Sequence, residues 1–206
     1  MTDCFALLGE PRRPVLDVEQ LKARFHVRAA ETHPDRFHNS PEAERLAATE
    51  SHTEFNAAYN TLREPKDRLA HLLELELGRK PGGIESVPED LMAGFMEVGQ
   101  LCRQVDAFLA ADAVVTSPIL RVQRFQQSIA WTDKLNATLT QLAATLDGTL
   151  VGAADWNAVW DGAPPVGSAK RAEALPLEAL ARLFRRVSFL TRWSAQLRER
   201  VGRLVV

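Results

Sequence analysis

The residues with the clearest capacity for functional chemistry in this sequence are three consecutive ones: His33, Pro34 and Asp35. Pro34 fixes a backbone torsion and so favours a turn. Asp35 offers a carboxylate that an arginine of a partner protein can hold through charge-assisted hydrogen bonds. His33 would lie beside them at a helix end, and none of the three needs to perform catalysis. The tripeptide therefore predicts a binding determinant, whereas the simpler alternative is an ordinary helix end that a proline terminates.

Other kinds of chemistry have weaker support in the residue pattern. The two cysteines, Cys4 and Cys102, are too few for a disulfide framework or a cysteine-ligated cluster, and they fit a reducing cytoplasm. The sequence has no glycine-rich phosphate loop and no Ser-His-Asp arrangement. A zinc site has little support, because the spacings match no common motif among the four candidate ligands: His26, His33, Asp35 and His38. We therefore expect no enzymatic activity, no cofactor and no bound metal.

The segments on either side of the tripeptide are predicted to be helices. Asp17 is a suitable N-cap, and apolar residues repeat at helical spacing after it. Pro34 ends this helix, because the residue before a proline is disfavoured in the α region. Ser40 followed by Pro41 is expected to cap a second helix, whose packing positions lie three or four residues apart: Ala48, His52, Phe55, Tyr59 and Leu62. Two helices joined by a short loop predict an antiparallel hairpin with the tripeptide at its connection.

The remaining sequence also indicates helices. A helix begins at Pro65 and ends at Gly78 in the manner of a C-cap. Residues 79–88 are the best linker, because they combine prolines and glycines with polar residues. We therefore predict one domain over 1–78 and another over 89–206.

The second domain is predicted to be a three-helix bundle. Three amphipathic stretches follow residue 88, and the last of them begins at about Leu177. A long loop is expected at about 148–174, where glycines and prolines recur around two exposed tryptophans, Trp156 and Trp160. The expected fold class is therefore all-α.

Three stretches of the sequence resemble a known family. They are DCFALLG at 3–9, HPDRF at 33–37 and NAAYNTLREPKDRLAHLL at 56–73. The tripeptide between two helices resembles the signature of J-domains, and the other stretches resemble the HscB branch of J-domain co-chaperones. The resemblance implies an N-terminal J-domain, formed by the hairpin and short helices, and a C-terminal client-binding bundle.

The same resemblance implies a function and two protein partners. HscB-type proteins deliver an IscU-type iron–sulfur scaffold protein to a heat-shock ATPase of the HscA or DnaK type and stimulate its ATP hydrolysis. The implied chaperone-binding residues are the tripeptide and nearby side chains: His33, Pro34, Asp35, Arg36, Lys22, His26 and Arg28. This face is less basic than in typical J-domains, since Glu31 subtracts charge. We therefore expect weak, salt-sensitive binding to the ATPase.

The second domain contains two motifs that resemble the scaffold-binding patch of HscB proteins, DLM at 90–92 and RVSFL at 186–190. The implied scaffold-binding residues are apolar: Leu91, Met92, Phe95, Met96 and Phe189. Independently of the family, Met92 and Met96 lie away from the apolar stripe of their helix. Phe189 and Trp193 lie similarly far from the stripe of the last helix. We therefore expect an exposed apolar cluster that suits a partner protein.

Other functions remain open. A J-domain co-chaperone with a different client would differ only in the second domain, and a structural helical adaptor would contain the tripeptide by chance. Residues 170–206 have a net charge of +6 and could contact nucleic acid, but they contain no nucleic-acid motif. No stretch approaches the roughly 18 apolar residues that a membrane span needs. We expect a cytoplasmic protein that binds neither nucleic acid nor membrane.

Overall fold

The computed structural model describes residues 2–82, 86–112 and 117–205, and every regular element within these ranges is helical. The longer helices are α2 (Val18–Glu31), α3 (Glu42–Arg63), α4 (Pro65–Leu77), α5 (Met92–Asp112), α6 (Pro118–Ala153) and α9 (Leu177–Val205). The short helices are α1 (Cys4–Leu8), α7 (Asn157–Asp161) and α8 (Arg171–Ala174), and 3-10 turns cover Pro34–Phe37, Glu89–Leu91 and Ala154–Trp156. The all-α prediction is confirmed. Within these ranges no helix combines the length and the apolar character needed to cross a membrane.

The chain divides into two compact units. The first unit contains residues 1–82 and 152–184, and the second contains residues 83–151 and 185–206. The predicted limits at residues 78 and 89 stay predictions, and residues 83–85 of the predicted linker lie outside the described ranges. The sequence does not predict that residues 152–184 group with the N-terminal residues.

The core of the first unit forms around the packing of α2 on α3. Leu21 and Leu62 are fully buried, and the rings of Phe25 and Tyr59 stack with their centroids 4.3 Å apart. The apolar faces of α1 and α4 complete this core with buried side chains: Phe5, Leu8, Leu69, Leu72 and Leu73. Burial of large apolar side chains on both sides of the hairpin fixes the two helices relative to each other.

In the N-terminal part of the chain, most helix ends follow local sequence signals. The Asp17 side chain accepts the backbone N–H of Gln20 at 3.1 Å, and Gly78 ends α4 in the left-handed region at φ 67°. Pro65 is the first residue of α4, as predicted. The capping prediction for Ser40 is wrong, because Pro41 keeps an extended ψ of 151° and α3 starts one residue later. Ser40 is then too far from the first free N–H groups of α3 to cap them.

The segment predicted as a long loop is largely helical. α6 continues to Ala153, and α7 and α8 occupy much of the remainder. The expectation that Trp160 is exposed is also wrong, because its side chain is buried in the first unit. Glycines and prolines in this segment break it into short helices and do not prevent helix formation.

Specific polar contacts fasten this segment within the first unit. Asn157 pairs with both backbone groups of Val15, accepting its N–H at 3.2 Å and donating to its carbonyl at 2.9 Å. Arg171 forms two 2.9 Å bonds with the carboxylate of Glu76, and both side chains are less than a tenth exposed. Bidentate pairs of this kind are strong and geometrically specific. Residues 152–184 are therefore an integral part of this unit.

The second unit is a three-helix arrangement with one apolar core. α5 contributes Val98, Leu101, Cys102 and Val105, α6 contributes Leu135 and Leu142, and α9 contributes Phe189, Leu190, Trp193 and Leu197. At one side of this core Arg200 donates to Asp106 at 2.6 Å, and that hydrogen bond raises the pKa of the Arg200 guanidinium. The core gives α5 a fixed orientation, so that one of its faces is buried and the other is exposed.

His71 links α4 to the start of α1. Its Nε2 accepts the backbone N–H of Cys4 at 3.1 Å, and its ring stacks on Phe5. Burial lowers the pKa of His71, and the neighbouring Asp3 opposes this shift. A nitrogen that accepts a hydrogen bond must be unprotonated, so the folded chain holds the imidazole in its neutral form.

We expect the first unit to lose stability in mild acid because of His71. A buried neutral histidine contributes its full stability above the unfolded-state pKa of about 6.5, and the contribution is lost as the pH falls toward the lower folded-state pKa. One such group changes the free energy of unfolding by at most about 1.4 kcal/mol per pH unit. Urea unfolding gives the free energy of unfolding at pH 7.5 and pH 5.5, and its decrease between these two pH values should be smaller for His71→Gln than for the wild type. The same loss in both proteins would contradict this prediction, and His26→Gln, at an exposed position, is the control.

Candidate functional site

The tripeptide lies in a short 3-10 turn between α2 and α3. His33 is the N-cap of this turn, and its Nδ1 accepts the backbone N–H of Asp35 at 3.3 Å. The His33 carbonyl accepts the N–H of Arg36 at 3.0 Å. The sequence predicts a loop at this connection and not a 3-10 turn. The tripeptide nevertheless lies outside both α-helices. His33 and Asp35 are exposed, so the tripeptide is displayed to solvent.

The Asp35 carboxylate pairs with no Lys or Arg in the part of the chain that the structure describes. Its side chain is 89% exposed, and Nδ1 of His33 lies 3.6 Å from it, a contact that is an ion pair only when the His33 ring is protonated. Because that nitrogen already accepts a backbone N–H, a neutral His33 ring carries its proton on Nε2 and offers none to the carboxylate. Asp35 therefore presents an unpaired negative charge that an arginine of another protein can bind.

Arg36 and His38 strengthen the turn. Nη1 of Arg36 donates to the carbonyl of Ala30 at 3.2 Å, which satisfies one of the free carbonyls at the end of α2. Nδ1 of His38 lies 3.3 Å from the Asp35 carbonyl. The residues after the tripeptide thus tie it back to α2, and the shape of the turn does not depend on a partner.

The predicted basic face of α2 is exposed. Lys22, His26 and Arg28 are all exposed, in agreement with a surface role. Nη1 of Arg28 lies 3.7 Å from Glu31, so part of its charge is compensated. Arg24 is held elsewhere, by an ion pair with Glu10 at 3.2 Å and a hydrogen bond to the Gly9 carbonyl. Lys22 has no ion-pair partner among the described residues, so its charge is the least compensated on this face.

A second candidate surface lies on α5. Met92, Phe95 and Met96 have relative exposures of 45%, 42% and 59% and form the exposed apolar patch of α5. These large side chains lie within five residues of one another, on the side of the helix that the bundle core does not cover. Such clusters suit protein partners, and flexible methionines adapt to the shape of a partner surface.

The structure corrects the predicted exposure of two residues on α9. Phe189 and Trp193 are only 8% and 4% exposed, and Leu91 is also buried. A helix that packs against two neighbours buries a wider face than one stripe, so positions far from Val187 still enter the core. Leu91 and Phe189 therefore belong to the core of the second unit and not to the exposed apolar patch of α5.

Trp193 has a supporting role that the sequence did not predict. Its ring contacts Phe95 with the centroids 6.3 Å apart and Phe189 with the centroids 5.7 Å apart. A Cβ on Gly94 would lie 3.7 Å from the Trp193 ring, an ordinary van der Waals distance, so α5 contacts the indole at this position. The available signal was Gly94, since a glycine inside a helix costs stability and can mark a packing position.

Two polar side chains border the exposed apolar patch of α5. Arg186 forms an ion pair with Asp90, and its Nε also donates to Thr149 Oγ1 at 3.0 Å. These contacts join the start of α5 to α6 and α9 within the second unit. Among the described residues, neither the tripeptide nor the exposed apolar patch of α5 has a nucleophile paired with a base, and both surfaces present side chains that suit contact with another protein.

Comparison with known structures finds similar folds. The chain is similar to chaperone HscB from Vibrio cholerae over 100% of both chains, with 22% sequence identity and a TM-score of 0.56. It is similar to the human co-chaperone protein HscB over 98% of this chain and 81% of that chain, with 16% identity and a TM-score of 0.60. No family model matches the sequence. At these identities the likeness shows that the chain has the all-helical fold of these proteins.

Proposed function

We propose that this chain is a cytoplasmic HscB-type co-chaperone, which binds an IscU-type iron–sulfur scaffold protein and brings it to a heat-shock ATPase of the HscA or DnaK type. The observation that carries the proposal is the exposed Asp35 carboxylate, which pairs with no Lys or Arg of the described residues, in a preformed turn at the connection of a helical hairpin. The HscB-like stretches at 3–9 and 56–73 and the HscB-like fold support the same assignment.

In this proposal the first unit is a J-domain that engages the ATPase. Asp35 accepts hydrogen bonds from an arginine of the ATPase, while Pro34 and the 3-10 turn keep the carboxylate in a fixed position before binding. A preformed turn lowers the ordering cost of association. Lys22, His26 and Arg28 orient the encounter, and the small number of positive charges on this face gives a modest, salt-sensitive association rate.

The second unit supplies the scaffold-binding surface in the proposal. Met92, Phe95 and Met96 make the contacts, and Trp193 supports Phe95 from the core that also contains Phe189 and Leu91. In this proposal the buried residues have a supporting role, and only the three exposed side chains of α5 contact the scaffold directly. Binding both partners on one chain raises their effective mutual concentration, so that the ATPase closes on the scaffold when hydrolysis is stimulated.

An ATPase assay tests the proposed function. Steady-state hydrolysis by an HscA- or DnaK-type ATPase is measured alone, with this chain, with an IscU-type scaffold, and with both. We expect this chain to stimulate hydrolysis and the scaffold to increase that stimulation further. Hydrolysis that this chain leaves unchanged under every condition would contradict the proposal. Stimulation without any binding of the scaffold would favour the alternative of a J-domain co-chaperone with a different client.

Replacement of Phe95 by Ala is expected to weaken scaffold binding by about 2 kcal/mol, roughly thirty-fold in Kd, because the ring is a large apolar anchor backed by Trp193. Isothermal titration of an IscU-type scaffold measures the effect. Phe125→Ala is the matched control, because Phe125 is a 67% exposed phenylalanine on α6 of the same unit. Equal weakening by both substitutions, or by neither, would exclude this surface.

A further inference from the structure

His52 on α3 contacts the tripeptide from the opposite helix of the hairpin. Its imidazole meets that of His33 edge to face, with the ring centroids 5.4 Å apart and the planes at 81°. Aromatic rings favour this arrangement, because the positive edge of one ring faces the negative face of the other. His33 therefore has two supports, the N–H of Asp35 within the turn and the ring of His52 across the hairpin.

His52 occupies a position that does not otherwise favour histidine. The residue is half-buried, and its Nδ1 is shielded from solvent and has no hydrogen-bond partner among the described residues. A buried polar atom without a partner destabilises the folded state, so an apolar side chain of similar size would suit the position better. The ring contact with His33 is the interaction that distinguishes His52 from such a side chain.

The ring of His33 needs this support because its other contact is long. The hydrogen bond between Asp35 N–H and His33 Nδ1 measures 3.3 Å, at the weak end of the usual range. The same bond couples the position of Asp35 to the His33 ring, because it holds the Asp35 backbone against that ring. Rotation of the His33 ring away from His52 would break this bond and release the Asp35 backbone N–H.

We infer that His52 is a positioning residue for the tripeptide: its ring holds the imidazole of His33, and through it Asp35, in the conformation that the ATPase binds. The inference rests on the proposed function and adds a residue outside the tripeptide and outside α2 to the ATPase-binding machinery. His52 does not touch the ATPase in this arrangement, so its effect is on the population of the competent turn.

Two substitutions of His52 distinguish the effect of its ring contact with His33 from the effect of the volume that its side chain fills. His52→Leu keeps an apolar side chain of similar volume and removes the ring, whereas His52→Phe keeps a ring that can face His33. Thr53→Leu is the matched control, because Thr53 is the exposed next residue of α3. Each variant is measured as the full chain in the ATPase assay, and the ring resonances of His33 are followed by NMR in histidine-labelled protein.

We expect His52→Leu to lower stimulation at subsaturating concentrations about five-fold, as loss of one aromatic pair would. His52→Phe and Thr53→Leu should stay within about two-fold of the wild type, since neither removes the ring contact. The His33 resonances should move in His52→Leu and stay near their wild-type positions in Thr53→Leu.

If His52→Leu stimulated hydrolysis like the wild type while Asp35→Asn lost stimulation, the inference would be overturned and the proposed function would stand. Equal loss in the Leu and Phe variants would also overturn it, because ring contact would then not be the cause. A wild-type chain without any stimulation would contradict the proposed function instead. If the wild-type chain gave no stimulation, the NMR spectra would decide the positioning role. His33 resonances at the same positions in His52→Leu and the wild type would overturn that role, and shifted resonances would support it.

Discussion

Asp35→Asn is expected to remove most of the ATPase stimulation while leaving the fold unchanged. The substitution keeps the size of the side chain and removes the charge, so an arginine of the ATPase loses a charge-assisted hydrogen bond. Loss of about 2 kcal/mol corresponds to roughly a thirty-fold higher concentration for half-maximal stimulation. The substitution should not change the stability of the fold, because the Asp35 side chain is 89% exposed and its carboxylate pairs with no Lys or Arg among the described residues.

Two measurements make this prediction specific. Thermal unfolding of Asp35→Asn should match that of the wild type within about 2 °C, since exposed substitutions usually change stability little. Asp67→Asn is the matched control, because Asp67 is an exposed aspartate on α4 of the same unit, and it should stimulate hydrolysis like the wild type. Equal stimulation by Asp35→Asn and the wild type would instead favour a structural adaptor in which the tripeptide has no role.

The sequence predicts the hairpin and the tripeptide well because the signals for both are local. The Asp17 cap, the proline at position 34 and the glycine at position 78 each act within a few residues of the helix end that they define. The spacing of Leu21 and Phe25 on α2 likewise depends only on the helical period, as does that of Tyr59 and Leu62 on α3. Local signals fail at Ser40, where the extended backbone of Pro41 shifts the helix start by one residue.

The environment of the candidate sites depends on contacts that are distant in sequence. Phe189 and Trp193 are buried because α9 packs against both other helices of the second unit, and a helical wheel of one segment does not contain that information. The grouping of residues 152–184 with the N-terminal residues depends on the contact of Arg13 with Asp161, 148 residues away, and of Arg171 with Glu76, 95 residues away. Without an alignment of related sequences, no pattern in one chain pairs such residues.

Arg68 is the least expected member of the core of the first unit. Its side chain is 2% exposed, and no carboxylate forms an ion pair with it in the described ranges. Nη1 donates to the Leu62 carbonyl at 2.7 Å, and Nε donates to the Pro14 carbonyl at 3.1 Å. Burial lowers the pKa of Arg68 to about 10, so the guanidinium remains charged at neutral pH. The Leu62 carbonyl belongs to the last turn of α3, where the helix dipole favours a positive charge.

Arg68→Met is expected to lower the free energy of unfolding by about 3 kcal/mol, because two buried carbonyls lose their donor at once. Methionine retains most of the apolar volume, so the effect reports the lost hydrogen bonds more than a cavity. Urea unfolding followed by circular dichroism measures it, and Lys66→Met, at an exposed position of the same helix, is the matched control. The same stability in Arg68→Met and Lys66→Met would mean that the desolvation cost of the buried charge cancels both bonds, as occurs for some buried ion pairs. A large loss would instead show that the hydrogen bonds of Arg68 to the end of α3 and to the segment before α2 stabilise the first unit.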